Sequence, residues 1–228
     1  MKKKITAIFL CVALVAIAVV GASLAYFTDT DSKNNTFTVG KVDITLVEKN
    51  ADGTEFTQGQ KLYPGTKTQN NIAKIVTVTN NEGSEDAWLW AEIWIPSALD
   101  DGDDNSPTAP GLGNSLHFNY ARNVEETKFT YLGSKEINGV MYNGYVHFVT
   151  NDTIHKAGES TSALLDQVYM DKGVTQGTNG YLLIDGKTDY TGDWNLIVYG
   201  VGIQADGINT IKDAITTYYG KDVNAHLW

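Results

Sequence analysis

Hydrophobic residues follow three different periods along the chain. Lys2, Lys3 and Lys4 precede an apolar run over residues 5–20, interrupted only by Thr6, and the small residues Gly21, Ala22, Ser23 and Ala25 follow it. Beyond this leader, alternation with a period of two dominates and β-branched and aromatic residues are plentiful, which predicts strands. Near the C-terminus Ile208, Ile211, Ile215 and Tyr218 recur at near-helical spacing. Asn209 is placed to cap one short helix there and Gly220 to stop it.

The alternating segments differ in what they predict. Phe37 and Val39 share one parity, while Val42, Ile44 and Leu46 share the other. The switch at Gly40-Lys41 predicts a bulge, where one extra residue lets both halves face the same core. Lys74, Val76 and Val78 alternate with Ile75, Thr77 and Thr79 up to a turn at Asn80-Asn81. Asn138-Gly139 predicts a type I′ hairpin joining strands over 128–137 and 140–149, although Asn143-Gly144 in the second arm complicates the register. Residues 196–203 are apolar at both parities, which predicts a central strand covered on both faces. In AWLWAEIWI (87–95), Ala87, Leu89, Ala91, Ile93 and Ile95 form a core stripe. Trp88, Trp90 and Trp94 lie opposite, with Glu92 among them. No long repeat is visible. The pattern predicts an all-β fold, a jelly-roll-like β-sandwich with one short C-terminal helix over residues 40–228.

The leader changes the picture by placing this domain outside the cell. Lysines, an apolar core and a small-x-small site form a secretory signal. Ser23 and Ala25 suit the −3 and −1 positions, so cleavage makes Tyr26 the first mature residue. The organisation is then a signal peptide (1–25), an export segment (26–39) and the sandwich (40–228). Contact with a membrane is expected only through an uncleaved signal, whose apolar run is long enough to span a bilayer. The single cysteine, Cys11, lies inside the signal and follows Phe9 and Leu10, poor neighbours for lipidation. The mature chain therefore has no disulfide and no thiol chemistry. Its 203 residues, what remains of 228 after 25 are removed, are enough to bury a core. The net charge is −10, and losing three lysines makes it −13. Such a chain is repelled by nucleic acid and by anionic membranes, so neither is an expected partner.

Candidate chemistry is sparse. Three indoles on one strand face bury a large apolar area when covered. They lie either beneath a loop or helix, or on an aromatic surface that takes a partner subunit or a sugar ring. Asp100, Asp101, Asp103 and Asp104 offer carboxylates, with Asp101 and Asp103 the best calcium candidates. The loop glycine is misplaced, however, and the twelfth position from Asp101 is Leu112 rather than Glu, so a solvated acidic loop is the better reading. His117, His147, His155 and His226 form no HExxH and no helical pair four residues apart. No G-x-S-x-G occurs, and Ser160 and Ser162 have no evident base. No catalytic residue, resident metal or cofactor is expected.

The string AYFTDTDSKNNTFTVGKVDITL (25–46) resembles the signal-and-start module of the TasA/camelysin group of Gram-positive secreted proteins. Weaker echoes recur in LYPGTKTQNNIAKIVTVTNNEGSEDAWL (62–89) and WNLIVYGVGIQADGI (194–208). The resemblance implies a jelly roll, a dedicated signal peptidase, and a role as a biofilm-matrix or surface-fibre subunit with accessory matrix proteins as further partners. It also implies that the N-terminal segment of one subunit completes a sheet of the next. Tyr26 and Phe27 would then be apolar anchors of a donor strand continuing through Thr28, Asp29, Thr30 and Asp31. Thr36, Phe37 and Val39 would begin the subunit's own sheet. Such strand addition pairs the open backbone groups of a sheet edge. Being head-to-tail, it propagates as a filament. A monomeric module binding carbohydrate or protein through the tryptophan face is the second reading. A metallopeptidase is the third, since camelysin-type proteins are classed as such.

Overall fold

The period-two segments build two packed sheets, and the near-helical segment lies on the outside of one of them. The computed structural model describes residues 41–66, 68–100, 114–119, 127–149 and 153–220. The elements are β1 (Ile44–Lys49), β2 (Pro64–Gly65), β3 (Ile72–Asn80), β4 (Ala87–Pro96), β5 (Leu116–Asn119) and β6 (Thr127–Ile137). They continue with β7 (Val140–Val149), β8 (Leu165–Asp171), β9 (Thr175–Gln176), β10 (Tyr181–Leu182), β11 (Asp189–Tyr190), β12 (Ile197–Gln204) and α1 (Ile211–Tyr219). One sheet has the order β1-β3-β8-β2, with β5 also on β8. The other has the order β12-β4-β7-β6, and β11-β10-β9 form a small ribbon. The fold is all-β with one short helix, as the sequence predicts.

Three apolar layers hold it together. Val76, Leu165 and Val168 of the first sheet meet Ile93, Ile95 and Tyr145 of the second in the inter-sheet core. Val78 meets Ala87, Leu89 and Ala91 further along. On the far side of the second sheet, Trp88, Trp90, Val146, Phe148 and Val201 pack against Ile211, Ala214 and Ile215 of α1. The two parities of β3 separate as alternation requires, with Lys74, Val76 and Val78 buried, and the buried face carries a charge: Lys74 is paired with Glu48.

The hairpin forms where Asn138-Gly139 predicts it. Both residues have positive φ (51° and 82°), which the type I′ turn requires. The register conflict is absorbed on the opposite arm. Pairing shifts between Tyr131 and Gly133, so β6 carries the bulge and β7 runs straight through Asn143-Gly144. Gly144 has a role of its own, because a Cβ there would lie 2.3 Å from the Trp94 ring.

Two expectations are corrected. Residues 196–203 do not form a central strand: β12 is an edge strand, paired only with β4 among the described residues. It is apolar at both parities because Val201 lies toward α1 while Val198 packs into the inter-sheet core. The strands buried on both faces are β4 and β7. The helix is capped by Thr210, not Asn209: the Thr210 side chain accepts from the Asp213 N–H at 3.1 Å. Gly220 (φ 65°) ends it, as predicted, donating its N–H to the Thr216 carbonyl. The predicted bulge at Gly40-Lys41 lies at the limit of the described residues, and Phe37 and Val39 lie outside them.

Candidate functional site

The tryptophan face is covered. Trp88, Trp90 and Trp94 are 4%, 0% and 6% exposed, so they present no aromatic surface to a ligand. The apolar side of α1 covers Trp88 and Trp90, while Lys135 and the Gly144 backbone lie against Trp94. Each indole N–H has an acceptor. Trp88 donates to the Ile208 carbonyl at 3.1 Å, and Trp90 donates to the Tyr219 hydroxyl at 3.2 Å. Trp94 donates to one oxygen of Glu92 at 2.9 Å, and Tyr219 donates to the other at 2.7 Å. Burial, reinforced by the Glu92 carboxylate, pushes the Tyr219 phenol well above its usual value. Lys135 places its ammonium 3.6 Å from the Trp94 ring centroid, a cation–π contact worth about 0.5–2 kcal/mol. Glu92, which alternation set among the indoles, is the acceptor that ties the helix end to the sheet.

The remaining polar candidates are structural in their contacts. His117 bonds through Nε2 to Asp171 at 2.9 Å and stacks on Tyr169. His147 is fully buried in β7, and burial holds its imidazole well below the ordinary value. His155 bridges to Ala87 through reciprocal backbone bonds, and burial lowers its pKa also. Asp100 is buried, accepting from Tyr145 Oη at 2.6 Å and from Asn143 Nδ2 at 2.8 Å. It therefore faces inward and not toward a solvated cation. Among the described residues no three His, Cys, Asp or Glu side chains come together to hold a metal ion. The described part of the chain does not fit a zinc centre. Asp101, Asp103 and His226 lie outside the described residues, as do Ser23, Ala25 and the Tyr26, Phe27, Thr28, Asp29, Thr30 and Asp31 segment.

Two outward-facing features border β12. The first is the edge that no other described strand pairs. The Ala205 N–H bonds to the Asp86 carbonyl at 2.8 Å. By alternation, Tyr199, Val201 and Ile203 bond toward β4, while Val198, Gly200 and Gly202 direct their N–H and C=O groups away from it. Sheet edges are usually blunted by charge, proline or a bulge. β6 has Lys135, Glu136 and its bulge, and at β1 the Phe56 N–H bonds back to the Glu48 carbonyl. β12, IVYGVGIQ, has none of these devices over eight in-register pairs. Gly202 is required by close packing: a Cβ there would come within 2.9 Å of Ile44 in β1 and 3.0 Å of Leu89 in β4.

The second feature is a cleft of about 310 Å³ between the 56–62 turn and residues 193–196. Leu62, Ile72, Leu116, Val168 and Leu196 form its floor, continuous with the inter-sheet core. Alternation did not identify this cleft, because its lining comes from five separated segments. The one local signal was Trp194, which opens the second weak echo.

The camelysin metallo-endopeptidase family model matches residues 1–138, from the leader through the whole of β6. No curated protein matches the chain.

Proposed function

The chain belongs to the camelysin metallo-endopeptidase family, and from that premise we propose that it is a secreted structural subunit of a surface or matrix fibre. Its mature N-terminal segment, residues 26–39, adds as a strand to the β12 edge of the next copy. The observation that carries this reading is the outer edge of β12, which no other described strand pairs and whose alternate N–H and C=O groups point away from β4. An isolated soluble domain gains nothing from a flat apolar edge without a charge or proline. A subunit that receives a strand needs one. Tyr26 and Phe27 supply apolar anchors, and the acidic charge keeps uncleaved or dilute chains apart. Because donor and acceptor are different surfaces, the contact does not close and growth continues.

Electron microscopy of the chain beginning at Tyr26, beside the same chain beginning at Thr36, tests the donor. Filaments are expected only from the longer form. Val198→Pro tests the acceptor by removing one outward N–H that takes no part in the β4 ladder. Tyr199→Glu adds a charge to the exposed edge near Lys135. Both variants are expected to stay monomeric, and Tyr199→Glu, whose side chain is exposed and outside the core, is expected to melt near the parent. Filaments from every form, or from none, would overturn the proposal.

The family's name favours a second reading, metal-dependent proteolysis. Its test is cleavage of an unfolded protein substrate that stops with chelator and requires at least two of His117, His147, His155 and His226.

A further inference from the structure

We propose that the cleft between the 56–62 turn and residues 193–196 is a saccharide site that takes an uncharged pyranose. Trp194 and Phe56 supply the aromatic walls, and Gln58 and Asp193 meet the hydroxyls. The strand face of Trp88, Trp90 and Trp94 is closed, and all three of its indole N–H groups are bonded inside the protein. Trp194 differs on both counts. It is half-buried, it lines the cleft, and its N–H has no acceptor among the described residues. Tyr181 and Tyr190 hold it edge-on, with ring centroids 5.7 and 5.8 Å away. An indole held this way presents an apolar surface and one unused donor, which suits a ring with C–H groups on its faces and hydroxyls at its rim.

The polar lining points the same way. Lys74 is not available as a cation, because its ammonium is paired with Glu48 and lies 4.1 Å from the Phe56 centroid. Asp193 therefore carries the one formal charge at the rim without an opposite partner among the described residues, and an anionic ligand is disfavoured. Gln58 and the Asp193 carboxylate are exposed and make no side-chain hydrogen bond among those residues, which leaves donors and acceptors to engage neighbouring hydroxyls. A volume of about 310 Å³ sits at the lower end of the ~300–1,000 Å³ range of small-molecule sites. It suits a mono- or disaccharide unit of a longer chain.

The mature protein carrying Tyr199→Glu, which is expected to stay monomeric and lies outside the cleft, is labelled with ¹⁵N and titrated with a glucose tetrasaccharide and with an N-acetylglucosamine tetrasaccharide while the Trp194 indole signal is followed. A saturable shift of that signal with at least one probe is expected. Calorimetry then compares Asp193→Asn and Trp194→Phe, each expected to weaken binding about tenfold, equivalent to about 1.4 kcal/mol. Asp193 is exposed, so its variant keeps the fold and is expected to form the same filaments, which separates this site from assembly. No saturable shift with either sugar, or affinity unchanged in both variants, overturns the proposal. So does a Trp194 shift produced by a peptide of residues 26–39 and by neither sugar, because the cleft would then belong to the assembly contact.

Discussion

Trp90→Ala is the substitution that tests how the sheet and helix are joined. The indole is fully buried. It meets the Tyr218 and Tyr219 rings at centroid distances of 5.4 and 6.4 Å, and it donates to the Tyr219 hydroxyl. Truncating a large buried aromatic costs about 3–5 kcal/mol, the transfer term plus the cavity left behind. The rigid sheet beneath and the helix above limit collapse, which favours the upper half of that range. No buried donor is orphaned, since Tyr219 keeps its bond to Glu92. For a domain of this size each kcal/mol lowers the melting temperature by roughly 2–4 °C, so the loss is about 6–20 °C. Urea unfolding gives the free energy, and hydrogen exchange locates it. The amides of α1 are expected to lose protection first, because that face is what seats the helix. A change below about 1 kcal/mol, with α1 still protected, is the response of an exposed side chain and would refute the covered face.

Variants at Tyr219, at His147 and in the 138–139 turn test the rest of the fold. Tyr219→Phe removes the donor to a carboxylate and the acceptor of the Trp90 N–H, and is expected to cost about 1–3 kcal/mol in urea unfolding. Because the folded Tyr219 pKa is raised, its unfolded phenol ionises first. Wild-type stability is therefore expected to hold below about pH 10 and fall above it, with a shallower alkaline fall in Tyr219→Phe. His147 behaves oppositely: burial lowers its folded pKa, so its contribution is intact above about pH 6.5 and lost as pH falls. His147→Leu is expected to flatten that acid limb in melts between pH 7 and 4. Gly139→Val forces a β-branched residue to φ 82° and is expected to destabilise the hairpin by about 1–2 kcal/mol. Asn138→Gly, which tolerates the same turn, should change the midpoint little.

How much was legible depends on how far apart the partners lie. The hairpin needed only Asn138 and Gly139, and the end of the helix only Gly220, because each follows from one residue's permitted φ. The first turn was misplaced by one position: Asn209 and Thr210 are both competent caps, and the Asp213 contact decided between them. For the indoles, parity showed that Trp88, Trp90, Glu92 and Trp94 share a face but not what covers it. The acceptor of the Trp90 N–H lies 129 residues away, and no local window contains it. The same limit hid the Trp194 cleft, whose walls begin at Phe56 and end at Leu196.

By itself the sequence determined the strand-rich class, the parity of the core faces, the hairpin, the helix end and the family, through residues 25–46 and the match over 1–138. Tertiary structure alone decided that β12 is an edge, that β4 and β7 are the strands covered on both faces, and that Asp100 turns inward. The physical reason is that periodicity reports whether a side chain leaves water, which is a property of its own transfer energy. Which neighbour removes it from water is set by pairing between distant segments. The open edge of β12 and the cleft beside it exist only once that pairing is complete.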